Sequence, residues 1–180
     1  GTPSHTMECT AGAIYVVRNP LDVCPSFANH FGLSIDDAIE AMGDDGGIGS
    51  PTDTTVVEYI TSWSMNVKSW TGVPHPQIKV VRYEDLLERP RAAFGEVAGF
   101  LGLKPPKERL EKAIKFSSFK ELSRQESAAG FKEKSTHAKR FFNVGKRDQC
   151  REKRSDDQVR RFVWRHREQM ERFKYVPRGY

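Results

Sequence analysis

Ala13-Ile14-Tyr15-Val16-Val17-Arg18-Asn19-Pro20 is the stretch whose reading decides the fold class. A continuous apolar run of this length, rich in β-branched residues, suits a strand buried on both faces, and Arg18-Asn19-Pro20 ends it. Working outward, a helix is expected to follow to about Phe31, then a second over Ser34 to Met42, with Ser34 as N-cap and Asp36 and Asp37 in its first turn. The next stretch of the same kind is Ile78-Lys79-Val80-Val81-Arg82-Tyr83, entered from the turn-like Val73-Pro74-His75-Pro76 and followed by a helix start at Glu84-Asp85. Strand, helices, strand is a βαβ rhythm, so the fold class is α/β with a parallel sheet.

Between and beyond these strands the sequence is mostly helical. Asp44 to Pro51 carries Gly46, Gly47 and Gly49 and reads as a mobile loop. From Asp53 to about Trp70 the apolar positions Val56, Val57, Ile60, Trp63, Val67 and Trp70 recur every three or four residues, which predicts an amphipathic helix with its tryptophans in the core. Further helices are expected over Pro90 to Leu101, closed by Gly102, then Pro106 to Lys115, and Ser118 to Ala128, ending at Gly130. Residues 131–153 have much charge and little apolar periodicity, and read as a long basic loop. After the N-cap Ser155, Val159, Phe162, Val163, His166, Met170 and Phe173 draw an apolar stripe on a final helix.

Composition narrows the class. The chain has 180 residues, 37% hydrophobic and 29% charged, enough for one domain over residues 1–180 with a core of its own. No apolar run approaches the ~18 residues a membrane helix needs, and no basic segment followed by an apolar one opens the chain, so the expected location is the cytoplasm and no membrane partner is expected. The three cysteines, Cys9, Cys24 and Cys150, are far apart and without zinc-site spacing, so they read as reduced thiols and no metal is expected. Charge is uneven: residues 131–180 hold 16 Lys/Arg against 7 Asp/Glu, while residues 1–130 are net negative. That excess is either a solvated helix face and tail, a polyanion surface, or a pocket for a phosphorylated small molecule.

The first strand also carries chemistry. A strand that delivers Arg18 to its C-terminal edge, followed by a helix bearing Ser26, allows guanidinium, hydroxyl and helix amides to converge on one phosphate. On this feature alone a surface ion pair for Arg18 is the commoner alternative.

Four segments, "AIYVVRNPLDVCPSFANHFGLSIDDAI", "VVRYEDLLERPRAAFGEVAGFLGL", "KFSSFKEL" and "RFFNVGKRDQCREKRSDDQVRRFVWRHREQMERFKY", occur in an order and at intervals that together resemble one family. It is the sulfotransferases that use 3′-phosphoadenosine-5′-phosphosulfate (PAPS), most like bacterial members of the cytosolic type, and the resemblance covers essentially the whole chain. It implies a parallel sheet of the P-loop-nucleotide type with flanking helices. It also implies transfer of a sulfuryl group to a hydroxyl or amine of a small acceptor, leaving 3′,5′-bisphosphoadenosine (PAP). Carried over position by position, Arg18 and Ser26 match the pair that binds the 3′-phosphate, while Tyr83, Ser117 and Phe119 match the adenine side. Asn143, Gly145 and Lys146 fall in the loop that closes over the 3′-phosphate. The alternative for Tyr83 and Phe119 is ordinary core packing.

The chain departs from the family pattern in places. Asn143 stands where the family has a basic residue, so that contact is weakened or passes to Lys146 or Arg147; Cys150 stands where a tryptophan is usual. Pro25 precedes Ser26 directly, which predicts a helix that starts late or bends. The Lys/Ser/Gly/Thr-rich loop that holds the 5′-phosphosulfate is not found in these residues, since "GDDGGIGS" has no lysine and carries two acids. Nor is there a Lys-Thr-His segment with the catalytic base; His5 follows Ser4 and reads as a loop residue, and His30, His75, His137 and His166 read as surface or packing residues. The expectation is therefore the C-terminal part of a sulfotransferase domain without a catalytic residue of its own. It would be either an inactive fragment or one half of a split or swapped assembly completed by a partner chain or a second copy. A nucleic-acid-binding module fits less well, because few aromatics are interleaved with the basic residues.

Overall fold

The computed structural model of the protein describes residues 10–49, 57–132, 134–142 and 155–180. In chain order the elements are β1 (Ala13–Val17), α1 (Pro20–Phe31), α2 (Ile35–Met42), β2 (Ile48–Gly49), β3 (Glu58–Tyr59), α3 (Trp63–Thr71), β4 (Ile78–Arg82), α4 (Tyr83–Glu88), α5 (Pro90–Phe100), α6 (Lys107–Phe116), α7 (Phe119–Ala129) and α8 (Asp156–Arg172). They gather into two compact units. One joins the stretch ending at Arg18 to Val73–Gly130; the other joins Asn19–Gly72 to Phe131–Tyr180.

In the first unit β1 and β4 pair in parallel, in a register running from Ala13↔Ile78 to Val17↔Arg82. The two runs thus form the parallel pair expected of them, but β1 is not buried on both faces as expected: Val17 and Val81 are buried, while Ile14 and Val16 are exposed. Burial also pushes the Tyr15 phenol up to about 12. Tyr83 belongs to α4 rather than to the strand, and Glu84 and Asp85 occupy that helix's first turn, where carboxylates favour the dipole. α5 opens on Pro90, which has no N–H to leave unsatisfied there. It is tied to the sheet by Lys79 Nζ donating to Glu96 Oε2 at 2.7 Å. Gly12 suits this approach, because a Cβ there would lie 3.0 Å from the Phe100 ring, which would have to shift to admit it. α6 and α7 follow within one residue of the expected bounds.

In the second unit α1 starts at Pro20, with Asn19 Oδ1 accepting from Leu21 N at 3.0 Å, and runs through Pro25 to Phe31. The expected late start does not occur, since the Asn19 cap and Pro20 at the first position fix the helix before Pro25 can oppose it. Gly32, at φ +68°, reverses the chain with the His137 ring 3.0 Å from where its Cβ would be. α2 is capped by Ser34 as expected.

The reading of residues 53–70 as one helix is corrected. Glu58–Tyr59 pairs antiparallel with Ile48–Gly49, and the helix begins only at Trp63, where Ser62 Oγ accepts from Met65 N at 3.1 Å. A serine able to cap, preceded by the β-prone Tyr59-Ile60-Thr61, outweighs the helical spacing of the apolar residues. Residues 53–56 lie outside the described residues. Trp70 is exposed rather than core, and Trp63 is half-buried.

α8 carries a capping box, Ser155 Oγ accepting from Gln158 N at 3.3 Å and Ser155 N donating to Gln158 Oε1 at 3.1 Å. Its buried side chains are Phe162, Val163, His166, Gln169 and Met170, at the spacing that turns one face toward α1, α2 and α3. The border of this face along α2 is ionic: Arg161 donates to Asp36 at 2.7 Å and to Glu40 at 2.9 Å, and Arg165 donates to Glu40 at 2.5 Å. Part of the C-terminal basic excess is therefore spent inside this unit on the acids of α2. Ser155→Ala should cost about 1 kcal/mol, the usual cost of losing such a cap, visible as a lower urea midpoint. An unchanged midpoint would show that the cap bears no stability.

Among the described residues no helix is long and apolar enough to cross a membrane, and no cluster of His, Cys, Asp or Glu could hold a metal ion.

Candidate functional site

Both strands of the sheet end together. The register carries Val17 opposite Arg82, so the next residues along, Arg18 and Tyr83, are neighbours past the C-terminal edge. There the Arg18 guanidinium carbon lies over the Tyr83 ring, 4.3 Å from its centroid. Both residues are half-buried, a setting in which a cation over an aromatic face gains more than it does in full solvent. Behind them Glu84 is buried, with Arg82 Nε 3.9 Å from its Oε2.

The other expected residues belong to other elements. Ser117 ends α6, and its hydroxyl donates back to the Ala113 and Ile114 carbonyls at 3.0 and 3.3 Å. Phe119 is the first residue of α7, after the N-cap Ser118. Ser26 is exposed on α1, in the second unit. Asn143, Gly145 and Lys146, with most of the expected basic loop, lie outside the described residues. Of the expected set, the geometry thus brings Arg18 and Tyr83 into contact. An arginine and an aromatic ring at the end of a parallel sheet fit a phosphate and a planar base in their chemistry.

A second feature lies in the other unit and had no sequence signal. A cavity of about 500 Å³ is lined by residues of α2, α3 and α8 and the loop after α2, including Asp45, Ser62, Ser64, Lys68, Arg165 and His166. None of the expected site residues lines it. His166, 2% exposed, meets Ser64 Oγ through Nδ1 at 2.8 Å, between the rings of Trp63 and Phe162. Its Nε2 has no hydrogen-bond partner among the described residues. Burial first, then the neighbouring Arg165 charge, holds its pKa down at about 4, against a smaller opposing pull from Asp45. His166 is thus a neutral packing residue, as its sequence reading had it, with a hydroxyl partner 102 residues away that no local pattern could announce.

The profile described as a sulfotransferase domain matches residues 1–174. The chain belongs to the sulfotransferase family. Among relatives, rat sulfotransferase 1A1 is 25% identical over 123 residues, 67% of this chain and 40% of that protein. Guinea pig (Cavia porcellus) sulfotransferase 1E1 is 39% identical over 67 residues, 37% of this chain and 23% of that protein. This sulfotransferase chain therefore spans less than half the length of the relatives it matches. Among solved structures, mouse sulfotransferase SULT7A1 complexed with PAP aligns with a TM-score of 0.68 at 19% identity, over 92% of this chain and 60% of that one. A retinol dehydratase in complex with retinol and PAP aligns with a TM-score of 0.69 at 18% identity, over 89% of this chain and 48% of that one. These likenesses establish the fold, an α/β arrangement with a parallel sheet and flanking helices.

Proposed function

We propose that this sulfotransferase chain supplies the 3′-phosphate and adenine side of a PAPS/PAP site, the C-terminal part of a domain that transfers a sulfuryl group to a hydroxyl or amine of a small acceptor. The observation that carries the reading is the Arg18 guanidinium held over Tyr83 at the C-terminal edge of the β1–β4 pair. Arg18 is a permanent cation with five N–H donors and suits a phosphate dianion; Tyr83 offers a flat apolar face to a purine. Ser117 and Phe119 are assigned to the adenine side, and Ser26, Asn143, Gly145 and Lys146 to the 3′-phosphate, on the family resemblance and not on geometry. When bound, PAPS supplies the sulfuryl group; the residues of this chain bind and orient the nucleotide. The phosphosulfate loop and the general base are assigned to a further segment or a partner chain, so the 180 residues alone bind nucleotide without turnover. That the solved relatives were captured with PAP supports the nucleotide class. The use of Arg161 and Arg165 on Asp36 and Glu40 argues against a free basic face for nucleic acid.

Calorimetry with PAP at fixed, moderate salt tests the assignment. A hydrogen bond to a charged group contributes ~1.5–3 kcal/mol and a neutral one about 1. Arg18→Ala should therefore weaken binding roughly 10- to 100-fold, and Ser26→Ala about 5-fold. Changing Lys132, Lys134 and Lys139 together to Ala should leave most of the affinity at that salt, where diffuse attraction is screened. Binding abolished by the triple change and untouched by Arg18→Ala would mean diffuse charge and sink the assignment.

A further inference from the structure

We infer that Tyr83 is a positioning residue for Arg18, fixing the guanidinium over its ring so that the site discriminates for a 3′-phosphate; this rests on the assignment of Arg18 to that phosphate. An arginine side chain free in solvent samples many rotamers, and ordering one at the moment of binding costs affinity. Here part of that ordering is already made. The parallel register sets Arg18 beside Tyr83, the backbone of Tyr83 is fixed as the first residue of α4, and the guanidinium carbon sits 4.3 Å from the ring centroid. The attraction is to the ring's quadrupole and requires none of the guanidinium donors, so it orders the cation without consuming what an anion needs. The phenolic hydroxyl has no part in it. A contact to adenine would raise affinity for every adenine nucleotide alike. A ring that orders Arg18 raises affinity only for nucleotides bearing the group that Arg18 binds.

The experiment measures, for the full chain, the ratio of affinities for PAP and for adenosine 5′-monophosphate, which lacks the 3′-phosphate. Tyr83→Phe should keep the ratio within about twofold of the parent. Tyr83→Leu should lower it roughly three- to tenfold, the range expected for losing a half-buried cation–π contact. Adding Tyr83→Leu to Arg18→Ala should lower the ratio no further than Arg18→Ala alone, because the ring acts through the arginine. Tyr83→Met, unbranched and adaptable, repeats the measurement if the Leu variant fails to fold by circular dichroism. Equal losses for both nucleotides in the Leu and Met variants would make Tyr83 an adenine contact only and overturn the inference while leaving the Arg18 assignment intact. A parent chain with no preference for PAP, or a ratio unchanged in Arg18→Ala, would overturn that assignment and the inference with it.

Discussion

Phe162→Ala should lower the unfolding free energy of the second unit by about 3–5 kcal/mol, the usual cost of truncating a buried aromatic. The side chain is fully buried on the face that α8 turns toward α1, α2 and α3, and its ring lies 5.4 Å from that of His166. Removing it forfeits transfer energy and leaves a cavity whose walls, on different helices, cannot close together. Against a total of 5–15 kcal/mol for an ordinary domain, this is a large fraction. Trp164→Ala supplies the contrast. Two positions along the same helix and larger, Trp164 is 80% exposed, and its loss should move stability by no more than about 0.5 kcal/mol. Urea titrations followed by circular dichroism compare the two; similar midpoint shifts would mean that α8 does not pack by this face.

Acid should weaken the same packing through His166. Its pKa is held at about 4 in the folded chain, whereas an unfolded histidine titrates near 6.5. The native state thus favours the neutral ring. Stability from this group is fully present above about pH 6.5, is lost progressively as pH falls, and levels off below about 4. A difference of roughly 2.5 pH units at ~1.36 kcal/mol each gives about 3 kcal/mol over that window. Protonation would place a cation between the Trp63 and Phe162 rings and beside Arg165, with the Ser64 hydroxyl as its hydrogen-bond partner. His166→Gln keeps a polar group and removes the titration, so its stability should change less between pH 7.5 and 4.5 than the parent's. Parallel pH profiles for parent and variant would show that His166 is not the group responsible.

What the sequence determined by itself is the local chemistry. The two runs announced strands because β-branched residues dominate them and turn-like prolines bound them. Ser34 and Ser155 announced helix starts because capping depends on neighbours three residues apart. Phe162, Val163, His166 and Met170 announced a core face, and left Trp164 off it, because helical period is a property of the chain alone. Pro25 misled as to where its helix starts, since the Asn19 cap and Pro20 establish the helix ahead of it. Residues 53–70 misled as well, because apolar spacing cannot distinguish a helix from a β-strand followed by a capped turn.

That Arg18 stands at the end of a strand was legible in the sequence, and its proposed role as an anion ligand starts from that place. That Tyr83 lies against it was settled by the register of β1 on β4, because a shift of the pairing by one residue would set a different side chain beside the guanidinium. The Ser64–His166 contact and the arginines that neutralise Asp36 and Glu40 belong to the same category. Their partners are more than a hundred residues apart in the chain, and what joins them is the burial of one helix face against others. That burial is non-directional and is read from periodicity, while the identity of each neighbour depends on how the helices pack, which only the tertiary structure decides.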